Sequence, residues 1–115
     1  MRIFQRHVAP STGHAGDDKV LQILVQRGAN LAQPRNIRHY LYGQSAETLA
    51  GPAERLRADG YTVAVTPAAT GTNFLCLAER VQVVDYATTA SDRKRFEIVA
   101  SQVPGGEYDG WEASS

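Results

Sequence analysis

The chain has 115 residues, and its 12 basic and 12 acidic side chains leave no formal net charge. That length suits one domain with a modest core, and a 43% hydrophobic content suits a folded chain and not a disordered one. Balanced charge argues against a dedicated nucleic-acid binder, no apolar run approaches the roughly 20 residues of a spanning helix, and the single cysteine, Cys76, cannot form an internal disulfide or a zinc site.

Residues 1–15 contain Pro10, Ser11, Thr12 and Gly13 without periodicity and read as a flexible N-terminal leader; residues 16–115 form the domain. The leader has no apolar core of the secretory type, so a reducing, cytoplasmic setting is expected. A helix should start near Asp17 as N-cap, with Asp18 in its first turn. Val20, Leu21, Leu24 and Val25 give it one apolar side, and Gly28 suits its end.

Residues 35–43 then alternate. Ile37, His39 and Leu41 point one way, Arg38, Tyr40 and Tyr42 the other, which predicts a strand. Ser45 is the next N-cap, and Ala46, Leu49, Ala53 and Leu56 trace a helical stripe up to Asp59-Gly60. Pro52 falls inside it at a cost of about 3 kcal/mol, so the helix should be kinked or begin at Pro52. Tyr61–Thr66 alternates again, and the apolar run Phe74–Ala78, extending towards Val84, reads as a central strand paired with it. Thr88 or Thr89 should cap a third helix whose core stripe is Phe96, Val99, Ala100 and Val103, ended by Pro104-Gly105-Gly106. Glu107–Glu112 reads as a short edge strand.

The element order is α-β-α-β-β-α-β. It predicts an α+β fold: a ferredoxin-like βαββαβ sandwich with a four-stranded antiparallel sheet, preceded by an extra N-terminal helix. The second face of that sheet is left for the extra helix, a partner chain or water, and the sequence does not choose.

Catalytic groups do not converge along the chain. His7, His14 and His39 share no helical spacing, so no metal site is expected, and His39, between Ile37 and Leu41, reads as a buried, satisfied histidine. Cys76 reads as a small core residue, and Arg93-Lys94-Arg95 as a solvated helix face. No catalytic, cofactor or metal residues are expected. Tyr40 and Tyr42 could stack bases or a small ligand on an open sheet face, but the strand Phe74–Ala78 has no basic residue to support them. Charge is also graded: residues 1–40 sum to +4, 41–80 to −1 and 81–115 to −3. The segment Gly106–Glu112 concentrates Tyr108, the only tryptophan and three carboxylates, and its Gly110 signals a bulge or a close backbone approach.

Three pieces together resemble the regulator of ribonuclease E activity B (RraB) family. They are Ile37, His39 and Leu41 on a strand leading to a helix; Gly60, Tyr61 and Val63; and the terminal run Glu107-Tyr108-Asp109-Gly110-Trp111. The likeness covers about Asp17 to Glu112. It implies a ferredoxin-like fold without a cofactor, in a cytoplasmic bacterial protein that is not an enzyme. It further implies that the protein binds an RNase E-like endoribonuclease and inhibits RNA cleavage, with no direct nucleic-acid or membrane binding. The candidate partner-binding residues are Glu107, Tyr108, Asp109, Trp111 and Glu112. The family's acidic character is absent from this neutral chain, which weakens long-range steering towards a basic partner. An RNA- or small-ligand-binding module using the open sheet face is the alternative.

Overall fold

A computed structural model describes residues 9–114. Its elements run α1 (Ala15–Gln26), β1 (Pro34–Gly43), α2 (Ala46–Ala58), β2 (Thr62–Pro67), β3 (Phe74–Val83), α3 (Tyr86–Ser101) and β4 (Glu107–Ala113). The strands form one antiparallel sheet in the order β2-β3-β1-β4, consistent with the ferredoxin-like arrangement preceded by a helix. Residues 1–8 of the expected leader lie outside the described residues.

Alternation along β1 sorts the molecule into two sides. Ile37, His39 and Leu41 are fully buried towards the helices, while Arg38, Tyr40 and Tyr42 stand on the other face. Leu41 meets Cys76 and Ala78 of β3, Leu49, Ala53 and Leu56 of α2, and Phe96 and Ala100 of α3 in the main core. A second cluster joins Leu21 and Leu24 of α1 to Ile37 and Val84, with Trp111 packed against it. Because Ile37 points the same way as Leu41, α1 joins the helical layer. Among the described residues the opposite sheet face has no covering element.

Three local expectations need correction. The N-cap of α1 is His14, not Asp17: the His14 Nδ1 accepts the Asp17 backbone N–H at 3.1 Å. That leaves the Asp17 carboxylate for a buried role. Asp18 instead accepts hydrogen bonds from the Thr12 backbone and from the Ser11 and Thr12 hydroxyls, which tie the preceding turn to the helix and hold its carboxyl below the ordinary value. Asp85, not Thr88 or Thr89, caps α3, because Thr88 sits three residues inside and returns the bond in a reciprocal capping box.

Helix α2 starts at Ala46 and runs through Pro52, so it does not begin at the proline. The proline forfeits one backbone hydrogen bond, but it lies buried beside Leu49, Ala53 and Leu56. Burying each of the two leucines stabilises by roughly 1.5–3 kcal/mol, which offsets the loss. The Ser45–Thr48 capping box fixes the first turn ahead of it.

Candidate partner-binding edge

Strand β4 lies at one edge of the sheet and pairs only with β1. Its register is Tyr42 with Glu107, Leu41 with Tyr108, His39 with Trp111 and Arg38 with Glu112. Two β4 residues, Asp109 and Gly110, therefore oppose the single residue Tyr40, which makes a bulge. Tyr108 and Trp111 are three residues apart, and a regular strand would send them to opposite faces. The extra residue turns both towards the helices. Gly110 has φ +96°, a conformation that glycine adopts without the steric penalty of a side chain, so the bulge signalled by the sequence is present.

The five candidate residues thus divide by side. Tyr108 and Trp111 are half-buried on the helix side; Glu107, Asp109 and Glu112 are exposed. Tyr108 stacks on Phe96 at 5.2 Å, and Phe96 stacks on His39 at 4.1 Å. The Tyr108 hydroxyl and His39 Nδ1 are 2.8 Å apart. Burial pushes the Tyr108 hydroxyl well above the ordinary tyrosine value and His39 below the ordinary histidine value, the latter against the pull of Asp92.

Trp111 reaches further. Its indole Nε1 donates to Asp17 Oδ1 at 2.9 Å, and Arg93 Nη2 donates to the same oxygen at 2.9 Å. The Arg93 guanidinium also lies 5.0 Å from the centre of the Tyr108 ring and bonds Glu97 one helical turn on. Asp17 thereby fastens α1 to both α3 and β4. The basic triplet is not a uniformly solvated face: Arg93 turns inward to this lock, Arg95 pairs with Asp59, and Lys94 alone of the three is exposed without an ion pair among the described residues.

On the outer side, Glu112 accepts the Tyr40 hydroxyl and lies 3.7 Å from Arg38, which is also 3.4 Å from Glu79. Glu107 and Asp109 have no ion pair among the described residues.

The ionisable groups that do converge gather around His39. His39 is fully buried, and its Nε2 is 3.6 Å from Asp92 Oδ2, beyond hydrogen-bond reach. Asp92 accepts from Gln82 Nε2 at 2.6 Å, and the Arg80 guanidinium covers the Tyr61 ring at 4.0 Å. Burial raises the Tyr61 hydroxyl to about 12 and the Cys76 thiol to about 11, so at neutral pH neither supplies the anion that nucleophilic chemistry needs. Among the described residues no group of three His, Cys, Asp or Glu side chains is disposed to hold a metal ion, and no helix is long and apolar enough to cross a membrane.

Asp17, Arg93 and Trp111 were not singled out by sequence as a joint. Each has an ordinary local reading, and only the tertiary contacts unite them.

Comparison with known proteins gives the same family as the motif resemblance. The family model described as regulator of ribonuclease activity B matches residues 14–113. No curated protein matches the chain. The matched span begins at the His14 cap of α1 and ends with β4, so it takes in every element of the fold. The chain belongs to the regulator of ribonuclease activity B (RraB) family, whose members regulate ribonuclease activity.

Proposed function

We propose that the protein docks on an RNase E-like endoribonuclease and restrains RNA cleavage by contact, without chemistry of its own. The exposed carboxylates of a rigidly held edge strand carry this reading. A partner would meet Glu107, Asp109 and Glu112 directly, while Tyr108 and Trp111 hold the strand in the shape that presents them. Family membership supports a regulatory role towards a ribonuclease. The setting is the bacterial cytoplasm, where such a nuclease acts.

A protein partner suits the outer surface better than RNA does. Arg38 is the one cation in the outward rows of the strands, and it is engaged by Glu79 and Glu112. Phosphates brought to Tyr42 would face Glu107 and Asp109, which have no ion pair among the described residues.

The test is cleavage of a reporter RNA by an RNase E-type nuclease in the presence of the purified chain. Slowed cleavage, with co-purification of the two proteins, is the expected result. Unchanged cleavage at saturating protein, without a complex, defeats the proposal. Trp111→Ala, if folded, should weaken the complex by loosening β4.

A further inference from the structure

The uncovered sheet face has an uneven charge pattern. At the Arg38 end, the carboxylates of Glu79 and Glu112 already have a cation, and Glu79 also accepts from Asn36 Nδ2 at 2.8 Å. At the Tyr42 end, Glu107 and Asp109 have none among the described residues. Between them and the β2–β3 turn lies a hollow of about 240 Å³, with Tyr42 on one wall and Asn73 on another. Tyr42 is half-buried, opposite Glu107 in register, and its hydroxyl makes no hydrogen bond among the described residues. Beside it the face continues through Tyr40, Leu75 and Leu77, all half-buried, with Tyr42 opposite Leu75 and Tyr40 opposite Leu77.

We infer that this hollow receives an arginine side chain from an arginine-rich segment of the partner nuclease, lying across the uncovered sheet face. The inference rests on the nuclease-docking reading and gives that partner a chemistry. An aromatic ring beside two unneutralised carboxylates suits a cation: the ring face attracts it and the carboxylates accept its N–H groups. Arginine suits the site better than lysine. Its planar guanidinium stacks on a ring and offers a fork of donors to carboxylates, whereas an ammonium is a compact and strongly hydrated charge. The leucines beyond the hollow match the arginine stems and apolar neighbours of such a segment. A nucleic acid would bring phosphates to the same carboxylates and be repelled.

The probes are a synthetic nona-arginine peptide, its lysine counterpart and a single-stranded RNA oligonucleotide, each titrated onto the full chain at low and moderate salt. The arginine peptide should bind, more tightly than the lysine peptide, with affinity falling as salt rises. RNA should not bind. Tyr42→Ala should weaken peptide binding about tenfold, and the paired change Glu107→Gln with Asp109→Asn by at least as much. The paired change lies on exposed positions, so it stays informative if Tyr42→Ala fails to fold. Equal binding by wild type and the paired variant, or RNA binding as tight as the peptide's, overturns the inference.

The same variants in the nuclease assay separate the two levels. If wild type and variants restrain cleavage equally, the hollow is not the docking point and the regulatory reading stands. If wild type neither binds nor slows the nuclease, while peptide binding still depends on Tyr42, Glu107 and Asp109, the partner assignment falls and the arginine site remains.

Discussion

On the helix side of the sheet, Phe96 stacks on both His39 and Tyr108, and Trp111 donates to the buried Asp17. On the opposite side, Tyr40 and Tyr42 stand among leucines and carboxylates, with no helix over them among the described residues. The same residue types serve different ends because alternation along β1 and the bulge in β4 decide which rings meet the helices. Inward rings fix where α1, α3 and β4 sit. Outward rings have no helix against them among the described residues, and on the docking reading proposed above they serve contact with a partner. Substitutions on the two sides should therefore separate folding from binding.

The largest effect should come from Asp17. Asp17→Ala removes the shared acceptor of Arg93 and Trp111 and leaves a largely buried guanidinium with only the exposed Glu97 as ionic partner. Breaking one partner of a buried charged pair should cost about 3 kcal/mol, read as a lower urea midpoint at unchanged slope. Limited proteolysis should cut first in and before α1, which this contact holds to the domain. By contrast, the exposed and screened Glu112→Gln should shift stability by no more than about 0.5 kcal/mol. Equal losses from the two substitutions would erase the distinction between the sides.

Gly110→Ala should come next. A side chain at φ +96° costs roughly 1–2 kcal/mol. Its site is otherwise tolerant: an added Cβ would meet Arg93 Nη2 at 3.6 Å, an ordinary contact. The loss should therefore reflect backbone strain. If the strand relieves that strain by abandoning the bulge, Tyr108 and Trp111 can no longer share a face, and Trp111 fluorescence should shift to the red as the indole meets water. A stability loss near zero with unchanged fluorescence would show that the bulge does not depend on glycine.

Legibility in the sequence followed the range of the interactions. The alternation of Ile37, His39 and Leu41 and the helical stripe of Phe96, Val99 and Ala100 are short-range patterns, and the structure follows both. The bulge at Gly110 was signalled by a glycine within a strand, but the side each aromatic would take was not, since that depends on how many residues oppose Tyr40. The Asp17–Arg93–Trp111 lock was invisible for a different reason. Its members lie 76 and 94 positions from Asp17 along the chain, and each satisfies a local rule: a capping acid, one of a basic triplet, a terminal aromatic. The seat of α1 in the helical layer rests on the same kind of long-range contact, its leucines against Ile37 and Val84 and Asp17 in the lock, so the uncovered face could not be assigned beforehand either. That α2 starts ahead of Pro52 was not legible either, because a proline inside a helix is tolerated where its neighbours bury enough apolar surface, and that burial is a tertiary property.

The smallest effect at neutral pH, and one that grows on acidification, concerns His39. Burial lowers its folded-state value below the ordinary 6.5, with Arg80 of β3 and Arg93 of α3 acting in the same direction and Asp92 opposing them. Tyr108 of β4 occupies Nδ1 and Tyr61 packs edge-on at 5.8 Å, so neither neighbour contributes a negative charge to an imidazolium. Below pH 6.5 the unfolded chain therefore binds a proton that the folded chain resists. Stability from this group is complete above pH 6.5 and declines as pH falls towards the lowered folded value. Urea midpoints should accordingly be flat from pH 8 to about 7 and fall as the pH drops below about 6.5. His39→Gln should lower the midpoint at every pH, because it removes the stack on Phe96, yet flatten the decline in that window. A decline that persists unchanged in His39→Gln would show that the acid sensitivity does not arise from the inward aromatic cluster.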